Sequence, residues 1–307
     1  MCASPHSFFI GCVAENTLLG LFSHTGVTVA KTNARVDLHA HTNASDGEHS
    51  PEELIQIARE RGVTFLGIAD HDTLAGLERA VAAATQAGDI QVIPAVEFST
   101  DWEKREIHVL AYLVDYLDPA TIALAAKFRE GRLGRAQKIL AKLDALGVPV
   151  EFNKVAAIAG DAAIGRPHVA RALVEAGHVA TVQEAFDKYL ASDKPAYVEY
   201  ESASPHQAVE MIRAVGAVPV LAHPLDVTRI LPELISHGLV GIECYYAQYN
   251  AREQRELVDL AKQYGLLATG GSDFHGLNRM GHMSALGKVD VPIEVVEKLK
   301  QAKEKIK

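Results

Sequence analysis

Arg35-Val36-Asp37-Leu38-His39-Ala40-His41-Thr42-Asn43-Ala44-Ser45-Asp46-Gly47 is a short apolar strand that ends in two histidines one residue apart and runs into a polar loop. Side chains at i and i+2 lie on one face of a strand, so His39 and His41 can grip a single metal ion. The theme recurs downstream. Asp70-His71-Asp72, Glu97, His108, His223 and Asp273-Phe274-His275 each stand at or near the end of an apolar run. One His-x-His pair decides little, because 14 histidines among 307 residues give about 0.6 such pairs by chance. Position decides. Six separate segments place His, Asp or Glu where a barrel strand passes to its loop, and such barrels keep their chemistry there.

Outward from this stretch the chain alternates strand and helix. Ser50-Pro51-Glu52-Glu53 opens a helix with Ser as cap, Pro in the first turn and Glu closing a capping box, and Gly62 ends it. The pattern predicts a strand at Phe65–Ala69, a helix at Leu77–Ala87, a strand at Gln91–Val96 ending at Glu97, and a strand at Ile107–Leu113 carrying His108. A long helix pattern runs over about 119–146, interrupted by Gly131 and Gly134. Residues of about 148–195 read as short helices, Ala170–Ala176 and Val182–Leu190, without a buried strand. Alternation resumes with a strand at Tyr197–Tyr200, and Ser204-Pro205-His206-Gln207 repeats the earlier helix start. Strands follow at Val218–Ala222, Leu239–Glu243 and Leu266–Thr269, with a helix at Arg252–Tyr264 and another from about Ile293.

Repeated βα units predict a parallel sheet, and ligands recurring from first strand to last predict that the sheet closes into a barrel. The expected division is an N-terminal extension of poor order over 1–34, barrel over 35–127, a helical insertion forming a substrate cap over 128–196, and barrel again over 197–307.

Bulk composition narrows the class. Apolar residues make up 48%, charged residues 22%, and the net charge is −9. An acidic surface argues against tracking along extended nucleic acid but leaves room for a nucleotide or a short RNA end held locally. Cys2, Cys12 and Cys244 form no Cys-x-x-Cys pair, which fits reduced thiols and a cytoplasmic location. No apolar run approaches ~20 residues, so no membrane span is expected. Residues 1–34 lack a basic start and make a poor secretory signal; His6 and His24 there are not expected to be ligands.

Nine groups are candidates: His39, His41, His71, Glu97, His108, His223, Asp273 and His275 at or near the expected strand ends, and Asp46 in the loop after the first strand. That is too many for one ion, and three ions sharing carboxylates is the economical count. Imidazole with carboxylate suits Mn²⁺, Fe²⁺ or Zn²⁺. Metals ~3.5–4 Å apart would make hydroxide available near neutral pH and neutralise phosphate oxygens, so phosphate-ester hydrolysis is the natural reaction class. Glu243 is expected to act behind the ligands, Asp70 to orient an imidazole, and Asp72 to cap the next helix. His49, His178, His206, His237 and His282 read as surface groups.

These segments, across about 35–290, resemble the PHP (polymerase and histidinol phosphatase) family of metal-dependent phosphoesterases. The resemblance implies an α/β fold, a distorted (β/α)₇ barrel with the helical insertion over its mouth, and a trinuclear centre with Mn²⁺ the expected ion. It assigns His39, His41, Glu97 and Asp273 to one metal, Glu97, His108 and His223 to a second, and Asp46, His71 and His275 to a third. Within the insertion, Arg132-Leu133-Gly134-Arg135, Gly165-Arg166-Pro167-His168-Val169-Ala170-Arg171-Ala172-Leu173 and Lys194-Pro195-Ala196-Tyr197-Val198 resemble a bacterial subgroup. That subgroup removes the 3′-phosphate of nucleoside 3′,5′-bisphosphates and is similar to 5′→3′ exoribonucleases of short RNA. The implied reaction is attack by metal-activated hydroxide, giving a nucleoside 5′-monophosphate and phosphate, with Asp273 and His275 assisting proton movement. Arg132 and Arg135 share a helix face and, with Arg166 and His168, would grip the phosphate that does not react. Each also has a structural reading: a solvated face for Arg132 and Arg135, a turn cap for Arg166, packing for His168. The alternatives are a 5′→3′ exonuclease on short RNA or DNA, a histidinol-phosphate phosphatase, and a metal-binding structural module without activity.

Overall fold

The computed structural model describes residues 34–160, 162–200, 203–276 and 285–306. The N-terminal extension up to residue 33, with Cys2, His6, Cys12 and His24, lies outside the described residues, as does His282. The strands are β1 (Arg35–Ala40), β2 (Val63–Ile68), β3 (Gln91–Trp102), β4 (Arg105–Tyr112), β5 (Val218–Leu221), β6 (Gly241–Tyr246) and β7 (Leu267–Gly271). They are hydrogen-bonded in chain order. Just past β7 the ring is drawn together: Asp273 N donates to His39 O at 2.8 Å and His41 N to Phe274 O at 2.9 Å. The result is a nearly closed, distorted barrel. Glycines permit the tight approach on both flanks of β1. A Cβ at Gly67 would lie 2.0 Å from Leu38 O, and one at Gly271 would lie 2.4 Å from His39 N.

The sheet departs from the all-parallel expectation in one strand. β1, β2 and β3 run parallel, as do β5, β6 and β7, but β4 is antiparallel to both its neighbours. The reason is local. β3 continues past Glu97 to Trp102, and Glu103 and Lys104 then turn with φ of 49° and 65°. Two consecutive left-handed residues make the tight turn that joins antiparallel strands.

The helices are α1 (Pro51–Glu60), α2 (Leu77–Ala87), α3 (Pro119–Ala145), α4 (Phe152–Ala159), α5 (Arg166–Glu175), α6 (Val182–Ala185), α7 (Pro205–Ala214), α8 (Leu231–Ser236), α9 (Ala251–Tyr264) and α10 (Glu294–Glu304). Both predicted Ser-Pro starts are capping boxes. Ser50 pairs reciprocally with Glu53, and Ser204 with Gln207, which stabilises each helix by about 1 kcal/mol. The long helix is unbroken through Gly131 and Gly134, because Phe128, Arg132, Arg135, Ala136, Ile139 and Leu143 form one buried stripe at helical spacing. α4 has no counterpart in the sequence reading. Tyr197–Tyr200 is not a strand: its backbone is tied by side chains, Tyr200 N donating to Asp101 and Val198 O accepting from Arg135 Nε at 2.6 Å.

Among the described residues, apolar side chains pack in three clusters. One cluster joins the outer faces of the strands to α1, α2, α7 and α9, with Phe98 of β3 against Phe128 of α3 at 4.6 Å between ring centroids. A second holds α10 against Val36, Leu38, Ile93, Leu110 and Val220 through Val295, Val296 and Leu299. A third is confined to Ile139–Ala196 and gives the insertion helices a core of their own.

Candidate metal centre

Four of the parallel strands, β1, β2, β5 and β7, deliver expected ligands at or just past their C-terminal ends. His39 is the last residue but one of β1, and His41 and Asp46 lie in the loop after it; His71 follows β2; His223 follows β5; Asp273 and His275 follow β7. Glu97 lies inside β3, and His108 lies near the start of the reversed β4. Cross-strand register pairs Glu97 with Leu110, Ser99 with His108 and Asp101 with Glu106. Alternate residues of both strands therefore face the site, while Phe98, Ile107 and Val109 face the core.

All nine expected ligands converge. Glu97 is the hub. Its Oε2 lies 3.2 Å from His39 Nε2, 3.3 Å from His41 Nε2 and 3.1 Å from His71 Nδ1, and its Oε1 lies 2.9 Å from His108 Nδ1 and 3.2 Å from His223 Nε2. Asp273 Oδ1 is 3.0 Å from His41 Nε2 and 3.5 Å from His39 Nε2. Asp46 Oδ1 is 3.2 Å from His275 Nε2 and 4.0 Å from His71 Nε2. Among the described residues, three groups have ligand atoms all within 4.8 Å of one another: His41, Asp46, His71 and His275; His39, His41, Glu97 and Asp273; and His71, Glu97 and His108.

The donor set fits divalent cations. Among the described residues, His39 Nε2, both ring nitrogens of His41, His71 Nδ1, His108 Nδ1 and Glu97 Oε2 are buried without an aligned hydrogen-bond partner. Leaving such atoms unsatisfied costs about 1–3 kcal/mol each, which a shared cation removes. The electrostatics agree. Burial opposes charge on His39, but Glu97, Glu243 and Asp273 outweigh it and raise its pKa well above the usual imidazole range. Against the same burial, Asp273 and Glu97 carry His41 up to about 9, and Glu97 and Glu106 carry His108 up to about 10. Burial wins at His71, which is held well below the usual range. Asp46, Glu97 and Asp273 stay ionised because neighbouring imidazoles overcome the penalty of burial. At His39, His41 and His108 a metal ion would therefore displace a proton on binding.

A second layer holds the ligands. Glu243, expected there, lies 3.0 Å from His39 Nδ1 through Oε1 and accepts from His223 N at 3.0 Å through Oε2. Asp70 orients no imidazole; it accepts from Thr42 N, Thr42 Oγ1 and Ser45 Oγ and so fixes the loop that carries Asp46. Asp72 does not cap α2, whose cap is Gly76; it accepts from Ser99 N at 2.9 Å and from Arg132 Nε. Asp37, Glu106 and Tyr246 were not singled out from the sequence. Asp37 accepts from Ser272 N and Gly287 N, and Tyr246 OH donates to Asp273 Oδ2 at 2.9 Å.

The insertion residues gather on one wall of this centre. Arg132 bonds Asp72 and, at 2.6 Å, Ser99 Oγ. Arg135 and Arg166 both meet Glu106 Oε2, at 2.8 and 2.7 Å. Arg135 lies over the Tyr200 ring at 3.9 Å. His168 is buried, and its Nδ1 accepts from Gly165 N at 3.0 Å at the start of α5. A cleft of about 510 Å³ opens beside Glu106 and His223, lined also by Lys104, Arg105 and Asp226.

A nearly closed α/β barrel whose strand ends pool imidazoles and carboxylates at one mouth defines a metal-dependent phosphoesterase. The chain belongs to the PHP domain family, whose model matches residues 37–203. A 5′-3′ exoribonuclease of Haemophilus influenzae is 37% identical over 248 residues, which cover 78% of this chain and 90% of that protein. A 3′,5′-nucleoside bisphosphate phosphatase of Chromobacterium violaceum is 35% identical over 272 residues, covering 85% of this chain and 95% of that one. A solved structure from Chromobacterium violaceum, described as an amidohydrolase with bound sulfate and no metal, superposes with a TM-score of 0.77 at 32% identity, covering 87% of this chain and 96% of that one. Among the described residues, no helix is long and apolar enough to cross a membrane.

Proposed function

We propose that this chain removes the 3′-phosphate of nucleoside 3′,5′-bisphosphates, giving nucleoside 5′-monophosphate and phosphate. His39, His41, Glu97 and Asp273 would hold one divalent ion, Glu97, His108 and His223 a second, and Asp46, His71 and His275 a third, with Mn²⁺ the expected ion. Ions held there supply a nucleophile at neutral pH and offset charge on the phosphoryl oxygens. The observation that carries the reading is the arginine wall: Arg135 and Arg166 stand one carboxylate, Glu106, away from His108, and Arg132 is paired with Asp72, the residue after His71. A substrate with two phosphates uses both halves, one phosphate on the arginines and the other at the metal centre. The cleft is within the range of small-molecule sites, ~300–1,000 Å³. His168 fixes the Gly165 turn that presents Arg166. Asp273 and His275 would assist proton movement; His275 Nδ1 lies 2.8 Å from Asp273 O, and Tyr246 OH donates to the Asp273 carboxylate.

The test is phosphate release from adenosine 3′,5′-bisphosphate by the Mn²⁺-loaded protein. Turnover is expected, with Arg166→Ala raising KM for the bisphosphate but not for histidinol phosphate. Turnover no higher than that of His39→Ala refutes the reading. The exoribonuclease names among the relatives favour a second reading, action on the 5′ end of short RNA. Higher kcat/KM on a 5′-phosphorylated oligoribonucleotide than on the bisphosphate would put that reading first.

A further inference from the structure

Glu106 is neither among the nine ligands nor part of the arginine wall, yet it touches both. It precedes His108 by two residues in β4, so one face of the strand carries both side chains. Glu106 Oε1 lies 3.0 Å from His108 Nε2, while His108 Nδ1 faces Glu97 at 2.9 Å. A carboxylate on Nε2 keeps the proton there and leaves the Nδ1 lone pair aimed at the cluster. The other oxygen, Oε2, sits between Arg135 Nη2 and Arg166 Nη2 at 2.8 and 2.7 Å. These are charge contacts rather than aligned hydrogen bonds, since among the described residues neither Glu106 Oε2 nor Arg135 Nη2 has a hydrogen-bond partner. An oxygen anion between two guanidiniums holds the ground that a phosphate oxygen would take.

We propose that Glu106 is a positioning residue that joins the two halves of the site. One oxygen sets the ring of His108 for its ion. The other is a placeholder that keeps Arg135 and Arg166 paired until a phosphate displaces it. The second half of this inference rests on the arginine reading of the function above; the first half does not.

The experiment is Glu106→Gln, with two calorimetric titrations of the metal-free protein against wild type. One uses Mn²⁺ alone and the other adenosine 5′-monophosphate alone. The expected result is opposed: Mn²⁺ affinity falls about tenfold, the scale of losing a carboxylate behind a ligand histidine, while nucleotide affinity rises. A merely structural role would lower both together. Mn²⁺ affinity within twofold of wild type overturns the proposal, and so does nucleotide affinity that falls with it. Glu106→Asp is read by the same Mn²⁺ criterion if the Gln variant does not fold, because it keeps the charge but withdraws the carboxylate from His108. Failure of wild type to bind the nucleotide counts against the arginine reading instead, and the Mn²⁺ titration still decides the role of Glu106 at His108.

Discussion

Removing the Asp70 carboxylate should loosen the metal centre although Asp70 binds no ligand directly. Asp70 is buried and accepts from Thr42 N at 2.7 Å, Thr42 Oγ1 at 2.6 Å and Ser45 Oγ at 2.6 Å. These bonds shape the loop between His41 and Asp46. Hydrogen bonds to a charged group are worth about 1.5–3 kcal/mol each, so three set a ceiling of about 4.5–9 kcal/mol. The two hydroxyls can turn to other acceptors, and the expected cost of Asp70→Ala is about 3–5 kcal/mol. Asp70→Asn keeps Oδ1 for Thr42 N and Ser45 Oγ but turns an amide toward Thr42 Oγ1, and should cost about 1–2 kcal/mol. Urea unfolding of the metal-free protein measures both, and Mn²⁺ titration should show weaker binding in the same order, because Asp46 hangs from this loop. An Asp70→Ala protein less than about 1 kcal/mol weaker than wild type, or one destabilised with unchanged Mn²⁺ affinity, would refute the argument.

Gly271→Ala places a methyl 2.4 Å from His39 N and 2.5 Å from His39 Cβ, where backbone cannot give way. A loss near the upper end of overpacking costs, about 3 kcal/mol, is expected with reduced metal content; an unchanged melting temperature would contradict it. Phe128→Ala should cost about 3–5 kcal/mol in unfolding measurements, because it empties the contact with Phe98. The metal-free protein should lose stability at alkaline pH. His41 and His108 have folded pKa values raised from 6.5 to about 9 and about 10, so their contribution is full below about 6.5 and fades as pH climbs through those values. Mn²⁺ should abolish that alkaline decline, since its ligand imidazoles carry no proton at the metal; identical thermal profiles over this range with and without Mn²⁺ would speak against it.

What the sequence makes legible is what short-range pattern encodes. His39 and His41 declare themselves by strand spacing, and α1 and α7 by their capping boxes. The expected ligands are chemically distinctive, and most stand at or near strand ends. The second layer is not legible in this way. Asp37 meets Ser272 and Gly287, residues far along the chain, and nothing local marks it. Glu106 had a usable signal, its place two residues before His108, but only in a strand known to begin there. Tyr197–Tyr200 has strand-forming composition, yet Asp101 and Arg135 take its backbone groups and no ladder forms. α3 shows the reverse: two glycines weaken the local helix signal, and the buried stripe on both sides of them overrides it.

The reversed strand explains why the expected rule, ligands at strand ends, finds His108 at a strand start. In an antiparallel β4 the N-terminal end lies at the mouth, where the parallel strands put their C-terminal ends. The hairpin also does what a loop would do poorly. Its register fixes Glu97, Ser99 and Asp101 in one row and His108 and Glu106 in the next, at strand spacing. Ser99 receives Arg132, Asp101 receives Tyr197 and Tyr200, and Glu106 receives Arg135 and Arg166. One continuous face thus runs from metal ligand to insertion anchor. On the proposed function, a change of substrate would need changes only in the insertion and the outer residues of the hairpin, while Glu97 and His108 keep their register.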